Sequence, residues 1–267
     1  MDTHNKLKVA LIQSDLIWEN PTENRRVFEK KIRELPTNTD LVMLPEMFTT
    51  GFTMDAEKNA ETMDGKTVNW MRNLALSKNC AITGSIIIKE PLCNSTKKET
   101  YFNRLIFAHP SGKIDFYDKK HLFTLAGEHT VFSAGNEQVL INFKGWKICP
   151  FICYDLRFPA WARNTKNYDL LLYVASWPTP RIEAWNTLLK ARAIENMSYT
   201  IGVNRIGTDA NGYKYNGNSV GFDMLGKCLA KNINEEVTLL IELDKENQNK
   251  TRNRFRFLED KDQFTFQ

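Results

Sequence analysis

The sequence predicts an α/β protein whose sheets are covered by helices. Three observations carry that expectation. Short strand-like apolar runs alternate with amphipathic helical segments at the start of the chain and again after about residue 170. Some runs, Leu170-Leu171-Leu172-Tyr173-Val174 above all, are apolar at every position, as in a strand buried on both faces. Between the two alternating regions the pattern changes to hairpins.

The elements follow in order. Lys8-Val9-Ala10-Leu11-Ile12-Gln13 reads as the first strand. A helix starts after it, with Asn20 as N-cap, Pro21 at its first position and Glu23 completing a capping-box-like pattern; Val27, Phe28, Ile32 and Leu35 form its apolar stripe. Leu41-Val42-Met43-Leu44 is a strand ending at Pro45-Glu46. A helix around Val68, Met71, Leu74 and Ala75 leads into a very apolar strand from Ala81 to Ile88. Tyr101 to Ala108, a Pro110-Ser111-Gly112 turn and Lys113 to Tyr117 make one hairpin. Glu137 to Phe143, a Lys144-Gly145 turn and Trp146 to Cys153 make another. Then come a strand from Leu170 to Ala175, a helix from about Arg181 to Asn196 and a strand from Tyr199 to Val203. Val220-Gly221-Phe222 and Val237 to Leu243 close a β-rich end. Residues 244–262, largely charged and polar, read as a surface tail, so one domain over 1–267 with its core at about 8–243 is expected.

Composition narrows the function classes. The chain has 267 residues, of which 42% are hydrophobic and 25% charged, enough apolar material for a core without disulfide or metal staples. Its net charge of +4 is spread along the chain, so neither a nucleic-acid tail nor a polybasic membrane patch is expected. No apolar run is long enough for a transmembrane helix, and Met1-Asp2-Thr3-His4-Asn5-Lys6 lacks the pattern of a signal peptide. Cys80, Cys93, Cys149, Cys153 and Cys228 are odd in number and irregularly spaced, which suits free thiols in the cytoplasm. His4, His109, His121 and His129 form no zinc motif, so no metal is expected.

Four positions could carry chemistry. Cys153 ends an apolar strand at an expected strand-to-helix elbow, where a nucleophile would be exposed beside backbone N–H groups; a buried structural cysteine is the alternative. Glu46 also ends a strand, either as a general base or as a solvated loop residue. Lys119 is ordinary alone, but beside a cysteine its ammonium would favour the thiolate and stabilise an oxyanion. His121 offers a rival Cys–His pair.

Taken together, these segments resemble the nitrilase superfamily of carbon–nitrogen hydrolases, which uses a Glu–Lys–Cys triad. Leu44-Pro45-Glu46-Met47-Phe48 looks like its glutamate motif, Tyr117-Asp118-Lys119-Lys120-His121-Leu122-Phe123 its lysine motif, and Cys153-Tyr154-Asp155-Leu156-Arg157-Phe158-Pro159 its cysteine motif. The order matches the family's, and the second glutamate would be Glu128 in Gly127-Glu128-His129. The resemblance implies a four-layer αββα sandwich, hydrolysis through a cysteine thioester, no metal or organic cofactor, and a homodimer or higher homo-oligomer paired through a helical face such as Phe158 to Arg163. Ala175-Ser176-Trp177-Pro178-Thr179-Pro180-Arg181, with Trp185 and Arg205, looks like the omega-amidase branch, which removes the terminal amide of 2-oxoglutaramate or 2-oxosuccinamate. By that likeness Arg181 would bind the distal carboxylate, and Phe52, Trp177 and Tyr154 would wall the pocket. Arg181 as a surface residue and Trp177 as plain packing are the alternatives. N-carbamoyl amino acid hydrolysis, general amidase or nitrilase activity, and a non-catalytic binding protein on this fold are the competing functions.

Overall fold

The computed structural model describes residues 5–91 and 99–265; Cys93 and His4 lie outside them. Two sheets stack face to face. The first has the order β13-β1-β2-β3-β4-β5, built from Val237–Asp244, Lys6–Gln13, Leu41–Met43, Ala81–Pro91, Glu99–Ala108 and Ile114–Asp118. The second runs β10-β11-β9-β8-β7-β6, from Ile206–Thr208, Lys214–Phe222, Tyr199–Asn204, Leu170–Ala175, Trp146–Ile152 and Ile141–Phe143, with β12 (Cys228–Ile233) also paired to β11.

Alternation along the strands places the layers. In β1, Val9 and Leu11 join the core shared by the two sheets, whereas Ala10 and Ile12 pack with Phe28 and Ile32 of α1 (Pro21–Arg33). Val68, Met71, Leu74 and Ala75 of α3 (Lys66–Lys78) cover the same outer face. On the other side Trp185 and Leu189 of α6 (Ile182–Glu195) lie against Gly202 of β9, where any side chain beyond hydrogen would collide with them. The expected sandwich of sheets between helices is therefore present. Among the described residues no helix is long and apolar enough to cross a membrane.

Two expectations need correction, and one element was not foreseen. Asn20 does accept the Glu23 N–H at 3.2 Å, but the Glu23 carboxylate bonds Arg26 rather than closing the box, and Asn24, not Val27, takes the buried position. The strand expected from Glu137 begins only at Ile141. The residues before it are tied to other segments: Ser133 N–H donates to Tyr101, Gly135 N–H to Lys119 O at 2.9 Å, and Gln138 to Trp161 O. The polar tail contains a helix, α7 (Lys245–Phe255), capped by Asp244. It docks through polar groups, with Gln248 buried against Asp169 O and Arg252 bonded to Tyr168 O and Met197 O, so hydrophobic periodicity could not reveal it.

Each sheet contains three adjacent parallel strands: β1, β2 and β3 in one, β7, β8 and β9 in the other. Glu46 follows β2, Cys153 follows β7 and Ser176 follows β8, so carboxyl ends from both sheets converge, the usual place for a ligand in parallel α/β sheets.

Candidate active site

Glu46 leaves β2 on a short loop held by β3. Met47 N–H donates to the Ser85 hydroxyl at 2.9 Å and Phe48 N–H to Ser85 O at 3.1 Å. Met47 itself sits at φ +44°. Lys119 follows β5, its N–H bonded to Asn103 O, while residue 135 crosses directly over the preceding backbone. That crossing needs Gly135, since a Cβ there would lie 2.3 Å from Asp118 O. Glu128 opens α4 (Glu128–Val131) after Gly127, whose φ is +74°.

Cys153 begins a short 3-10 helix, Cys153–Arg157, directly after β7. Its φ of +43° is unusual for a side-chain-bearing residue and stores about 1–3 kcal/mol of strain. The elbow is pinned by Asp155, which accepts from Ile152 N–H at 3.0 Å and from Tyr117 O–H at 2.9 Å.

These segments bring four predicted residues together. The Lys119 ammonium lies 2.9 Å from Glu46 Oε1 and 2.9 Å from both oxygens of Glu128. Glu46 Oε2 accepts the Ser176 backbone N–H at 2.9 Å, and Glu128 Oε2 accepts the Phe123 N–H. The Glu46, Lys119 and Glu128 side chains are fully buried, and Glu46 acts electrostatically on the neighbouring Cys153 thiol. Burial works against the Lys119 charge, but Glu128 and then Glu46 outweigh it, holding the ammonium above its ordinary range. Burial pushes the Glu128 carboxyl up despite Lys119. The thiol is also pushed well above its ordinary value, first by burial and then by Glu46, and Lys119 only partly opposes this. Lys119 acts in the expected direction, favouring the thiolate, but burial and Glu46 outweigh it. The thiol therefore rests neutral beside Glu46.

The thiol and ammonium lie on one cavity of about 520 Å³, of a size for a small metabolite. Residues 8–253 match the family described as carbon-nitrogen hydrolase.

The chain belongs to the carbon–nitrogen hydrolases.

It is 42% identical over 259 residues to omega-amidase YafV of Yersinia enterocolitica, covering 97% of this chain and 98% of that protein. It is 32% identical to the 2-oxoglutaramate amidase of Bacillus subtilis, over 90% of this chain and 91% of the relative. A CN-hydrolase superfamily protein from Xanthomonas campestris, crystallised with an arsenic adduct in its active site, superposes with a TM-score of 0.92 at 39% identity, covering 98% and 99% of the two chains. The nitrilase-type resemblance and the expectation of an amidohydrolase therefore hold.

In this carbon–nitrogen hydrolase the four expected pocket residues Phe52, Tyr154, Trp177 and Arg181 all line the cavity. The Phe52 ring centroid lies 5.2 Å from the Lys119 nitrogen. Trp177 is both wall and packing: its ring meets Trp185, and its Nε1–H donates to Arg181 O at 2.8 Å. The Arg181 guanidinium lies 5.1 Å from the Phe123 ring centroid. His121 does not pair with Cys153; its Nδ1 is 2.8 Å from Asp155 Oδ1 and its ring stacks on Phe158. Arg205 is buried in an ion pair with Asp15 rather than placed on the cavity wall.

Sequence reasoning missed several participants. Arg157 lines the cavity over Trp177, Tyr215 does so with its hydroxyl on Asp209, and Asn103 bonds both glutamates. Asn103 did leave one signal, an amide inside an otherwise strand-like run, which demands a buried partner. Among the described residues no group of three or more His, Cys, Asp or Glu side chains is arranged to hold a metal ion.

Proposed function

We propose that this enzyme is an omega-amidase, hydrolysing the terminal amide of small dicarboxylate monoamides such as 2-oxoglutaramate and 2-oxosuccinamate to acid and ammonia. The observation that carries this reading is one cavity lined by the Cys153 thiol and the Lys119 ammonium, with the Glu46 carboxylate bound to that ammonium and guanidinium groups on the cavity wall. The names of the relatives in Yersinia and Bacillus support the same substrate class.

In this mechanism the amide carbonyl enters over Cys153. Glu46 takes the thiol proton as sulfur bonds to the carbonyl carbon. Lys119 and the Tyr154 backbone N–H hold the oxyanion, each such donor being worth about 2.7–4 kcal/mol. As the C–N bond breaks, the departing nitrogen takes the proton from Glu46 and leaves as ammonia. Water then attacks the thioester, giving a proton to Glu46, which returns it to sulfur. Glu128 orients Lys119, to which it is bound through both oxygens. Arg181 binds the distal carboxylate, while Phe52, Tyr154 and Trp177 shape the space between.

Supporting a homodimer is an outer helical surface that carries exposed Pro159 and Ala160 of α5 (Pro159–Ala162) and half-exposed Ile194 of α6. Trp161 and Ala162, within the stretch expected to pair, face this chain's own core instead. The unpaired thiols of Cys80, Cys149, Cys153 and Cys228 support a cytoplasmic setting.

Ammonia release from 2-oxoglutaramate and 2-oxosuccinamate, set against a neutral aliphatic amide, an N-carbamoyl amino acid and a nitrile, tests the assignment. The keto-acid amides should give the highest kcat/KM. Preference for the neutral amide would remove Arg181 from its role, and carbon dioxide release from the carbamoyl substrate as the main reaction would replace the assignment.

A further inference from the structure

We propose that Asn103 is a positioning residue for the reaction: its side-chain amide ties Glu46 to Glu128 and leaves one defined oxygen of Glu46 to meet the Cys153 thiol. The inference rests on Glu46 acting as the proton acceptor.

Asn103 lies in β4, is wholly buried, and presents Nδ2 to Glu46 Oε1 at 2.8 Å and to Glu128 Oε1 at 3.2 Å. The amide is oriented by its surroundings: Nδ2 donates to carboxyl oxygens that already accept from Lys119 and backbone N–H groups, whereas Oδ1 in that place could accept only from a protonated carboxyl. Glu46 Oε1 thus takes two donors, Asn103 and Lys119, which fill its two lone pairs. Oε2 takes only the Ser176 N–H among donors from the surrounding backbone and amide groups, and keeps a lone pair for the thiol.

The remaining half of the amide points to function. Asn103 Oδ1 is buried with no hydrogen-bond partner among the described protein atoms. An unpartnered buried acceptor opposes folding, so the other end of the side chain must supply a compensating benefit. Here two carboxylates share one ammonium, and Asn103 supplies neutral donors to both without adding a second cation. A second cation at this position would bind the carboxylate too firmly for it to accept a proton. The titratable groups around the amide are Glu46 after β2, Lys119 after β5 and Glu128 in α4, with the Cys153 thiol beyond Glu46.

The test compares wild type, N103L and N103D as full-length proteins, with thermal unfolding recorded for each. Two readouts are followed across acid and alkaline pH: kcat and KM for 2-oxoglutaramate, and iodoacetamide alkylation of Cys153 measured at its peptide. N103L should lower kcat by about tenfold to a hundredfold with KM little changed. Its acidic limb should move to higher pH in both readouts, because a carboxylate pair that has lost a donor takes up a proton sooner. In N103D the introduced carboxyl faces two others in a buried site, so it holds its proton at neutral pH and donates to one of them. That variant should be intermediate, losing activity as pH rises and the proton leaves. If N103L fails to fold, the N103D profile decides. An acidic limb unmoved in N103L, or a pH-independent loss in N103D, would overturn the proposal. Should the wild type fail to hydrolyse 2-oxoglutaramate, the substrate assignment falls, while the alkylation profiles still test Asn103.

Discussion

The floor and the mouth of the cavity are built on opposite plans. At the floor, Glu46, Lys119, Glu128 and Asn103 are buried, and three donor groups fix each carboxylate. At the mouth, Leu125 is 79% and Tyr213 56% exposed, and Arg157 and Arg181 lie over aromatic rings. Among the described residues neither guanidinium has a carboxylate partner. The difference teaches where reaction and selection reside. The proposed mechanism moves a proton between fixed atoms at the floor, and the geometry there is over-determined in keeping with it. The mouth keeps cationic groups available to an anionic substrate, at the expense of internal pairing.

The comparison can be broken most sharply at the proposed nucleophile. Cys153→Ala should lower kcat by at least about ten-thousand-fold in steady-state ammonia release, with the fold retained by circular dichroism. Near-normal turnover would move the chemistry elsewhere. Next is the ion group. Lys119→Met leaves two buried carboxylates facing each other without a cation, and denaturant unfolding should show a loss of about 3–5 kcal/mol along with the loss of activity. Stability within error of wild type would mean that the floor is less constrained than its contacts imply.

At the mouth the effects should be smaller and selective. Arg181→Ala should raise KM for 2-oxoglutaramate by about tenfold to a hundredfold, leave turnover of a neutral amide unchanged, and shift stability by less than about 0.5 kcal/mol. Equal losses for both substrates would remove the contrast between the regions. The smallest effect is a pH dependence. The Cys153 thiol is raised above 9.0, so the native state keeps a proton that the unfolded chain loses. That stabilisation is fully present below about pH 9 and declines above it, by up to about 1.4 kcal/mol per pH unit. Cys153→Ala should therefore gain stability relative to wild type on going from neutral to alkaline pH. Parallel unfolding curves would show that the thiol is not held neutral.

The floor was more legible in the sequence than the mouth, and for physical reasons. Glu46 and Cys153 end apolar strands and so carried a local pattern, whereas Lys119 and Glu128 were marked by the motifs that resemble the family's. Asn103 was overlooked because its partners come from separate loops 57 and 25 residues away. The Ser176 contribution was invisible in side-chain terms, since its donor is backbone. Arg157 was seen only as part of a motif; its place on the wall depends on the turn of the 3-10 helix and on Trp177 beneath it. The layers of the fold were readable from the succession of strand-like and helix-like segments and from the continuous apolar run of β8. The polar docking of α7 and the short strand β12 carried no comparable periodic signal.

Partition by hydroxylamine tests the acyl-transfer account most directly. With 2-oxoglutaramate as substrate, added hydroxylamine should divert product from the free acid to the hydroxamate, and Cys153→Ala should abolish both. Ammonia release that continues while no hydroxamate forms at any hydroxylamine concentration would contradict a thioester on Cys153.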